Sequence, residues 1–413
     1  MTLNFEQSLE KYAEVAVKIG LDFRKGQALH INAPVDARPM VQAVVRQAYR
    51  AGARSVYVNW NDPELGLIKV QEASDEALES FPTFMIDHLS KHMDDGDAIM
   101  SISGSDPDLL AGQDPMRLKK IQMTAAKAGS PVSERIVNNV TNWLIVMVPH
   151  PALSAKVFPD LSPEEAKEQH WEAIFKMCRI DGDDPVAKWE SHVNELQKRS
   201  NYLNDKSYSA LHYTSTGTDL TIGLPKGHLW ITAGLEAKNG TKPIVNMPTE
   251  EIFTLPHRDQ VHGVVRSTKP LNYMGTVIDN FTLQVSEGSV VSGKAEQGQD
   301  ALDILLATDE GVRSFGEVAL VPHSSPISQS GLTFFNTLYD ENASCHLALG
   351  RAYRFTLDGG VEMDDAGFEE AGGNNSLAHV DFMIGSEELN IDGIMADGTR
   401  EAVMRQGEWA FEV

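Results

Sequence analysis

Ala28-Leu29-His30-Ile31-Asn32, then Met40, Val41, Val44, Val45 and Ala48 at helical spacing up to Gly52, then Ser55-Val56-Tyr57-Val58-Asn59: this stretch decides the fold of the first half. An extended apolar run, an amphipathic stripe, a glycine stop and a second extended run together read as strand, helix, strand. The alternation continues in both directions. Upstream, Leu9, Tyr12, Ala13, Ala16 and Val17 form one helical stripe over residues 5–19, with Gly20 expected as its C-cap. Downstream, a helix is predicted in the late 70s to early 90s, then a strand at Ala98–Ile102, a helix near 116–128 and a strand at Trp143–Val148. Alternation of this kind predicts an α/β fold, with a mostly parallel sheet flanked by helices.

Two later helix starts are marked by their caps. Ser162-Pro163-Glu164-Glu165 carries a capping serine, a proline at the first helical position and a glutamate three residues after the cap, and Asp184-Pro185 opens a helix expected to reach Tyr202. Beyond residues 200–208 the texture changes to short extended runs at Ala210–Tyr213, Leu220–Ile222, Thr276–Ile278 and Phe281–Val285, with turns at Gly217-Thr218-Asp219 and Ser286-Glu287-Gly288. Helical segments are predicted near 297–308 and 340–349. The expected organisation is an N-terminal α/β domain over 1–204 and a largely antiparallel α+β domain over 205–413.

Bulk properties narrow the function. The 413 residues carry 35 basic and 59 acidic side chains, a net charge of −24. That field repels phosphate backbones and anionic lipid, so neither nucleic acid nor membrane is expected as a partner, while cations are compatible. Cys178 and Cys345 are too few for a disulfide scaffold or a cysteine-rich zinc site. The opening Met1-Thr2-Leu3-Asn4-Phe5-Glu6 has no secretory pattern, and no apolar run approaches the roughly 20 residues that span a bilayer. A cytoplasmic location is the expectation.

Familiar catalytic signatures are missing: there is no His-Glu-x-x-His and no Gly-x-Ser-x-Gly. His257-Arg258-Asp259 resembles the start of a kinase loop, but Val264 stands where that loop requires asparagine. The remaining candidates lie in the second half. His379-Val380-Asp381 falls in an apparent strand, Ala378–Ile384, where alternate residues share a face, so an imidazole and a carboxylate project together. A histidine merely hydrogen-bonded to its neighbour is the competing reading. Glu317 opens the otherwise apolar Gly316–Pro322, where an ionised carboxylate is costly unless paired with a cation. Glu250 and Glu251 follow Pro248, and a solvated helix cap on Thr249 is the alternative for them. In Asn336–Gly350, Glu341 and His346 sit about 140° apart if the segment is one regular helix, and can share a site only if Glu341 occupies an irregular first turn. Glu341 could equally be there to favour the helix dipole.

Four runs taken together resemble the aminopeptidase T and aminopeptidase S family of cocatalytic metallopeptidases: Asn246-Met-Pro-Thr-Glu-Glu-Ile-Phe253, Gly316-Glu-Val-Ala-Leu-Val-Pro322, Thr337 through Gly350, and His379-Val-Asp-Phe-Met-Ile-Gly385. The resemblance implies that Glu251, Glu317, Glu341, His346, His379 and Asp381 are metal ligands, with Glu317 bridging. It implies two divalent ions, of zinc, cobalt, manganese or magnesium, in the C-terminal domain, and a homodimer. The implied reaction is removal of N-terminal residues from peptides with a free N-terminus. Tyr353 would hydrogen-bond the developing oxyanion and Glu250 would shuttle the proton. A metal-dependent amidohydrolase on other amides, and a non-enzymatic ligand- or metal-binding protein, are the alternative functions.

Overall fold

The structure, a computed structural model, describes residues 4–273 and 276–413. In chain order its strands are β1 Ala28–Pro34, β2 Ser55–Asn61, β3 Ala98–Ser103, β4 Trp143–Met147, β5 Ala210–Ser215, β6 Thr218–Gly223, β7 Val245–Met247, β8 Ile252–Thr254 and β9 Val261–Arg266. They continue with β10 Leu271–Tyr273, β11 Thr276–Ser286, β12 Ser289–Gln297, β13 Phe315–Leu320, β14 His346–Gly350, β15 His379–Met383, β16 Asn390–Ile394, β17 Arg400–Arg405 and β18 Glu408–Trp409. The chain divides into two compact units, Met1–Val193 with Ala233–Thr249, and Asn194–Thr232 with Glu250–Val413. The division therefore falls inside the helix Pro185–Lys206, and not at a single cut after residue 204. Ala233–Thr249 goes with the first unit because β7 pairs with β4 there.

In the first unit the strands run parallel in the order β2-β1-β3-β4-β7. Leu29, Ile31, Met100, Leu144 and Val146 are buried from these strands, and Met40, Val41 and Val44 from the helix Arg38–Arg50 that follows β1. The alternation read from residues 28–59 is thus the fold of this unit. The first helix differs from expectation at its end. Phe5–Val15 is α-helical and passes into a π-helical turn, Ala16–Gly20. Gly20 is not a left-handed cap, and a Cβ there would lie 2.5 Å from Leu144 Cδ2, which would have to turn aside.

The second unit contains a large antiparallel sheet in the order β10-β11-β9-β6-β5-β16-β17-β18, with β12 on β11, and a four-stranded antiparallel sheet in the order β15-β14-β13-β8. Three local expectations are corrected. The two runs predicted at 276–278 and 281–285 are one strand, β11, carried through Asn280 at φ 49°. Glu250 and Glu251 open no helix; they lead into β8. The helix predicted over 340–349 ends early. Thr337–Asp340 is helical, Glu341–Ala343 is a 3-10 turn, and His346–Gly350 is β14. Every residue of β14 is buried between neighbours on both edges, and a short continuous apolar run fits a central strand as well as a buried helix.

Candidate metal centre

The small antiparallel sheet places the candidate residues by register alone. Glu317 of β13 stands opposite Ala348 of β14, which stands opposite Asp381 of β15. One row along, Phe253 of β8, Ala319 and His346 align, and His379 lies opposite Gly350. Because side chains alternate, Glu251 (two residues before Phe253), Glu317, His346, His379 and Asp381 all project from one face, with the small residues Ala319, Ala348 and Gly350 between them. A register irregularity between Phe315 and Glu317 aims the glutamate, and Gly316 sits at it, where a Cβ would come within 2.2 Å of the Arg351 carbonyl oxygen.

Two overlapping clusters result. Glu251, Glu317 and His346 bring ligand atoms within 4.8 Å of one another, and so do Glu317, His379 and Asp381. Glu317 is common to both, and its two oxygens divide between them: Oε1 lies 3.4 Å from His346 Nε2 and Oε2 lies 3.7 Å from His379 Nε2. His346 Nε2 also approaches Glu251 Oε2 at 3.2 Å, and His379 Nε2 approaches Asp381 Oδ1 at 3.4 Å. Each histidine is oriented from behind. His346 Nδ1 donates to the Ser344 carbonyl at 3.0 Å and His379 Nδ1 to the Arg351 carbonyl at 2.7 Å. A carbonyl only accepts, so both Nδ1 atoms carry the proton and both Nε2 atoms face the carboxylates, the tautomer a metal requires.

The charge balance points the same way. Glu251, Glu317, Glu341 and Asp381 share this buried volume, and two imidazolium charges at most would oppose four carboxylates. Burial pushes the Glu317 carboxyl up, against the His346 hydrogen bond, and Asp381 and Glu251 push it further. Glu341 is driven well above the carboxylate range by burial and by the charges of Glu251 and Asp381. Burial would lower both histidines, but Glu251 and Glu317 hold His346 well above its usual value, and Asp381 with Glu317 raise His379 to about 9. Asp381 Oδ1 is buried and makes no hydrogen bond of good geometry, only the approach to His379. Crowded acids, imidazole lone pairs and an unsatisfied oxygen fit divalent cations as the missing partners.

Glu341, on the 3-10 turn, feels the charges of Glu251, Asp381, His346 and Glu317 but belongs to neither close group. The ring of Tyr353 lies 4.9 Å from that of His379, and burial together with the charges of Glu317 and Asp381 raises its hydroxyl far above the ordinary phenol. Glu250 is buried next in sequence to Glu251, and its backbone N–H donates to Asn342 Oδ1 at 2.7 Å. Sequence reading missed the aromatic wall beside the clusters, in which Tyr353 stacks on Phe355 at 5.2 Å and Phe253 meets both rings at 6.3 Å. Counting two residues on from Glu251 along the strand would have found Phe253. The carbonyls of Ser344 and Arg351 leave no signal in side-chain identity.

The sequence pattern of the family described as thermophilic metalloprotease (M29) matches residues 5–409. Aminopeptidase 2 of Geobacillus stearothermophilus is 47% identical over 409 residues, covering 99% of each chain. Aminopeptidase T of Thermus thermophilus is 43% identical over 405 residues, covering 98% of this chain and 99% of that one. The solved structure of wild-type AmpT from Thermus thermophilus superposes with a TM-score of 0.93 at 42% identity, over 98% of this chain and all of the other.

Proposed function

This chain belongs to the thermophilic metalloprotease family M29, and we infer from that premise that it is a metal-dependent aminopeptidase acting on peptides with a free N-terminus. The observation that carries the reading is Glu317, whose two carboxylate oxygens face two different His–carboxylate groups. That geometry supports a pair of divalent ions, of zinc, cobalt, manganese or magnesium, with Glu251 and His346 on one side, His379 and Asp381 on the other and Glu317 between; the charge interaction of Glu341 with both groups is what supports it as a further ligand. Bound there, divalent ions would supply a Lewis acid for the scissile carbonyl and would activate a water as nucleophile.

The chain's own residues account for the rest. His346 and His379 are held in one tautomer by backbone carbonyls, so they enter the reaction already oriented. The cluster is deepest at His346, whose side chain is 1% exposed, and most open at His379, at 20%, so a peptide approaches from the His379 and Tyr353 side. Tyr353, kept protonated by burial and by the acids around it, is suited to donate to an oxyanion that develops beside His379. The rings of Phe253 and Phe355 would take an apolar N-terminal side chain. Glu250 is assigned the proton transfer to the leaving amine, which Glu250→Gln tests against Glu341→Gln. The net negative charge of the chain would also attract the substrate's ammonium group.

We place the catalytic function in the second unit, and expect a cytoplasmic homodimer. No described helix is long and apolar enough to cross a membrane. Metal analysis of the parent and of His379→Ala, alongside hydrolysis of free and N-blocked amino-acid anilides, tests the reading. About two ions falling in the variant, turnover lost with them, and activity confined to free amines are expected. An unchanged rate in His379→Ala, or equal hydrolysis of blocked substrates, would refute it.

A further inference from the structure

We propose that the first unit carries a transition-metal site of its own, formed by His30, His88 and His92. His88 and His92 are four residues apart on the helix Thr83–Asp94, so both project from one face. Beneath them His30 projects from β1, in register with Tyr57 of β2. The three imidazole centroids form a near-equilateral triangle, with sides of 5.5 Å for His30–His88, 5.8 Å for His30–His92 and 6.1 Å for His88–His92. Three imidazoles on one tetrahedral ion, with metal–nitrogen bonds near 2.0–2.1 Å, would have centroids about 5.2–5.5 Å apart. The triangle is thus wider than a closed site by up to about 0.9 Å, most of it on the His88–His92 side. The nitrogens do not converge as the rings stand. His88, the exposed member, is the ring free to turn toward the other two.

Hydrogen bonding assigns the lone pairs. His92 Nε2 donates to the Ala98 carbonyl at 2.9 Å, which leaves the lone pair on Nδ1, 3.9 Å from Asp97 Oδ2. His30 Nε2 donates to Asn32 Oδ1 at 3.2 Å, an oxygen that also accepts from Asn59 Nδ2, which leaves His30 Nδ1 as a lone pair too. His30 is 2% exposed, and its Nδ1 has no hydrogen-bond partner. A buried acceptor without a partner, beside two more imidazoles, is the position an ion would satisfy. A ligand set of neutral imidazoles selects Zn2+, Ni2+ or Cu2+ over Mg2+ or Ca2+, and the exposed edge at His88 leaves room for solvent in the fourth position. Bound there, the ion would tie β1 to the helix Thr83–Asp94 and stabilise the first unit by mass action.

The test uses the full-length, tag-free chain stripped of metal, with Zn2+ as the probe, read by calorimetric titration and by metal analysis after dialysis. His88→Ala removes an exposed side chain, and an unchanged unfolding midpoint in metal-free buffer verifies the fold. The parent is expected to hold one more equivalent of Zn2+ than His88→Ala, with that class weakened about 100-fold or more in the variant, while aminopeptidase turnover stays at the parent level. His379→Ala is expected to keep the His88-dependent equivalent. Identical isotherms for the parent and His88→Ala would overturn the proposal, and so would loss of turnover in His88→Ala, which would assign the missing ion to the carboxylate centre.

Discussion

Gly316→Ala probes the link between backbone packing and the orientation of His379. The added Cβ would stand 2.2 Å from the Arg351 carbonyl oxygen and 2.4 Å from the Gly350 oxygen, both backbone atoms that no side-chain rotation can move. Real Cβ atoms do not approach closer than 3.0 Å, so the two segments must part by at least 0.8 Å, the difference between 3.0 and 2.2 Å. The displaced carbonyl is the one that accepts from His379 Nδ1 at 2.7 Å. A shift of about 1 Å in a group that positions a catalytic element is worth about 100-fold in rate. Overpacking of this kind costs about 1–3 kcal/mol of stability. Steady-state hydrolysis of an amino-acid anilide, with metal content and unfolding midpoint measured on the same samples, reads all three quantities. The control is Gly66→Ala, on the helix Pro63–Glu72 with nothing within 4 Å of the new Cβ, which is expected to be stabilised by up to about 1 kcal/mol and to turn over normally. A folded Gly316→Ala with parent turnover and metal content would refute the reasoning that the Arg351 carbonyl sets His379.

Tyr353→Phe is expected to lower kcat by about 100- to 1,000-fold with little change in KM and none in metal content; an undiminished kcat would remove Tyr353 from the oxyanion role. Phe253→Ala is expected to lower kcat/KM for N-terminal leucine or phenylalanine by about tenfold or more relative to alanine, measured on paired anilides. Acid should weaken the first unit. Burial lowers His30 and His170 from 6.5 to about 4, so each binds its proton less readily when folded than when unfolded. Their contribution is complete above pH 6.5 and is lost as pH falls from 6.5 towards 4, up to about 3 kcal/mol for each. Denaturant midpoints across that range, for the parent and His170→Gln, should show a shallower decline in the variant.

The α/β alternation of the first unit was legible because each element carries its own period and stop: Val41 and Val44 on a helical stripe, Gly52 closing it, and short extended runs on both sides. The return of Ala233–Thr249 to that unit was not, because pairing of β7 with β4 is a contact between residues about 100 positions apart with no local signature. In the second unit, His379 and Asp381 could be placed on one face from period two alone. His346 could not. Cys345-His346-Leu347-Ala348-Leu349 lacks the flanking polarity that separates a short helix from a central strand, and the helical reading set it at a false angle from Glu341. Nor did side-chain identities reveal which face Glu317 would take, since its direction depends on the irregularity at Gly316.

The claim on which the account rests is that Glu317 stands between two cations, and anomalous diffraction from crystals soaked in Zn2+ addresses it most directly. Two peaks about 3.5–4 Å apart are expected. One should lie among Glu251, Glu317 and His346, the other among Glu317, His379 and Asp381. A single peak in this face of the sheet, or a pair that leaves either Glu317 oxygen uncoordinated, would contradict it.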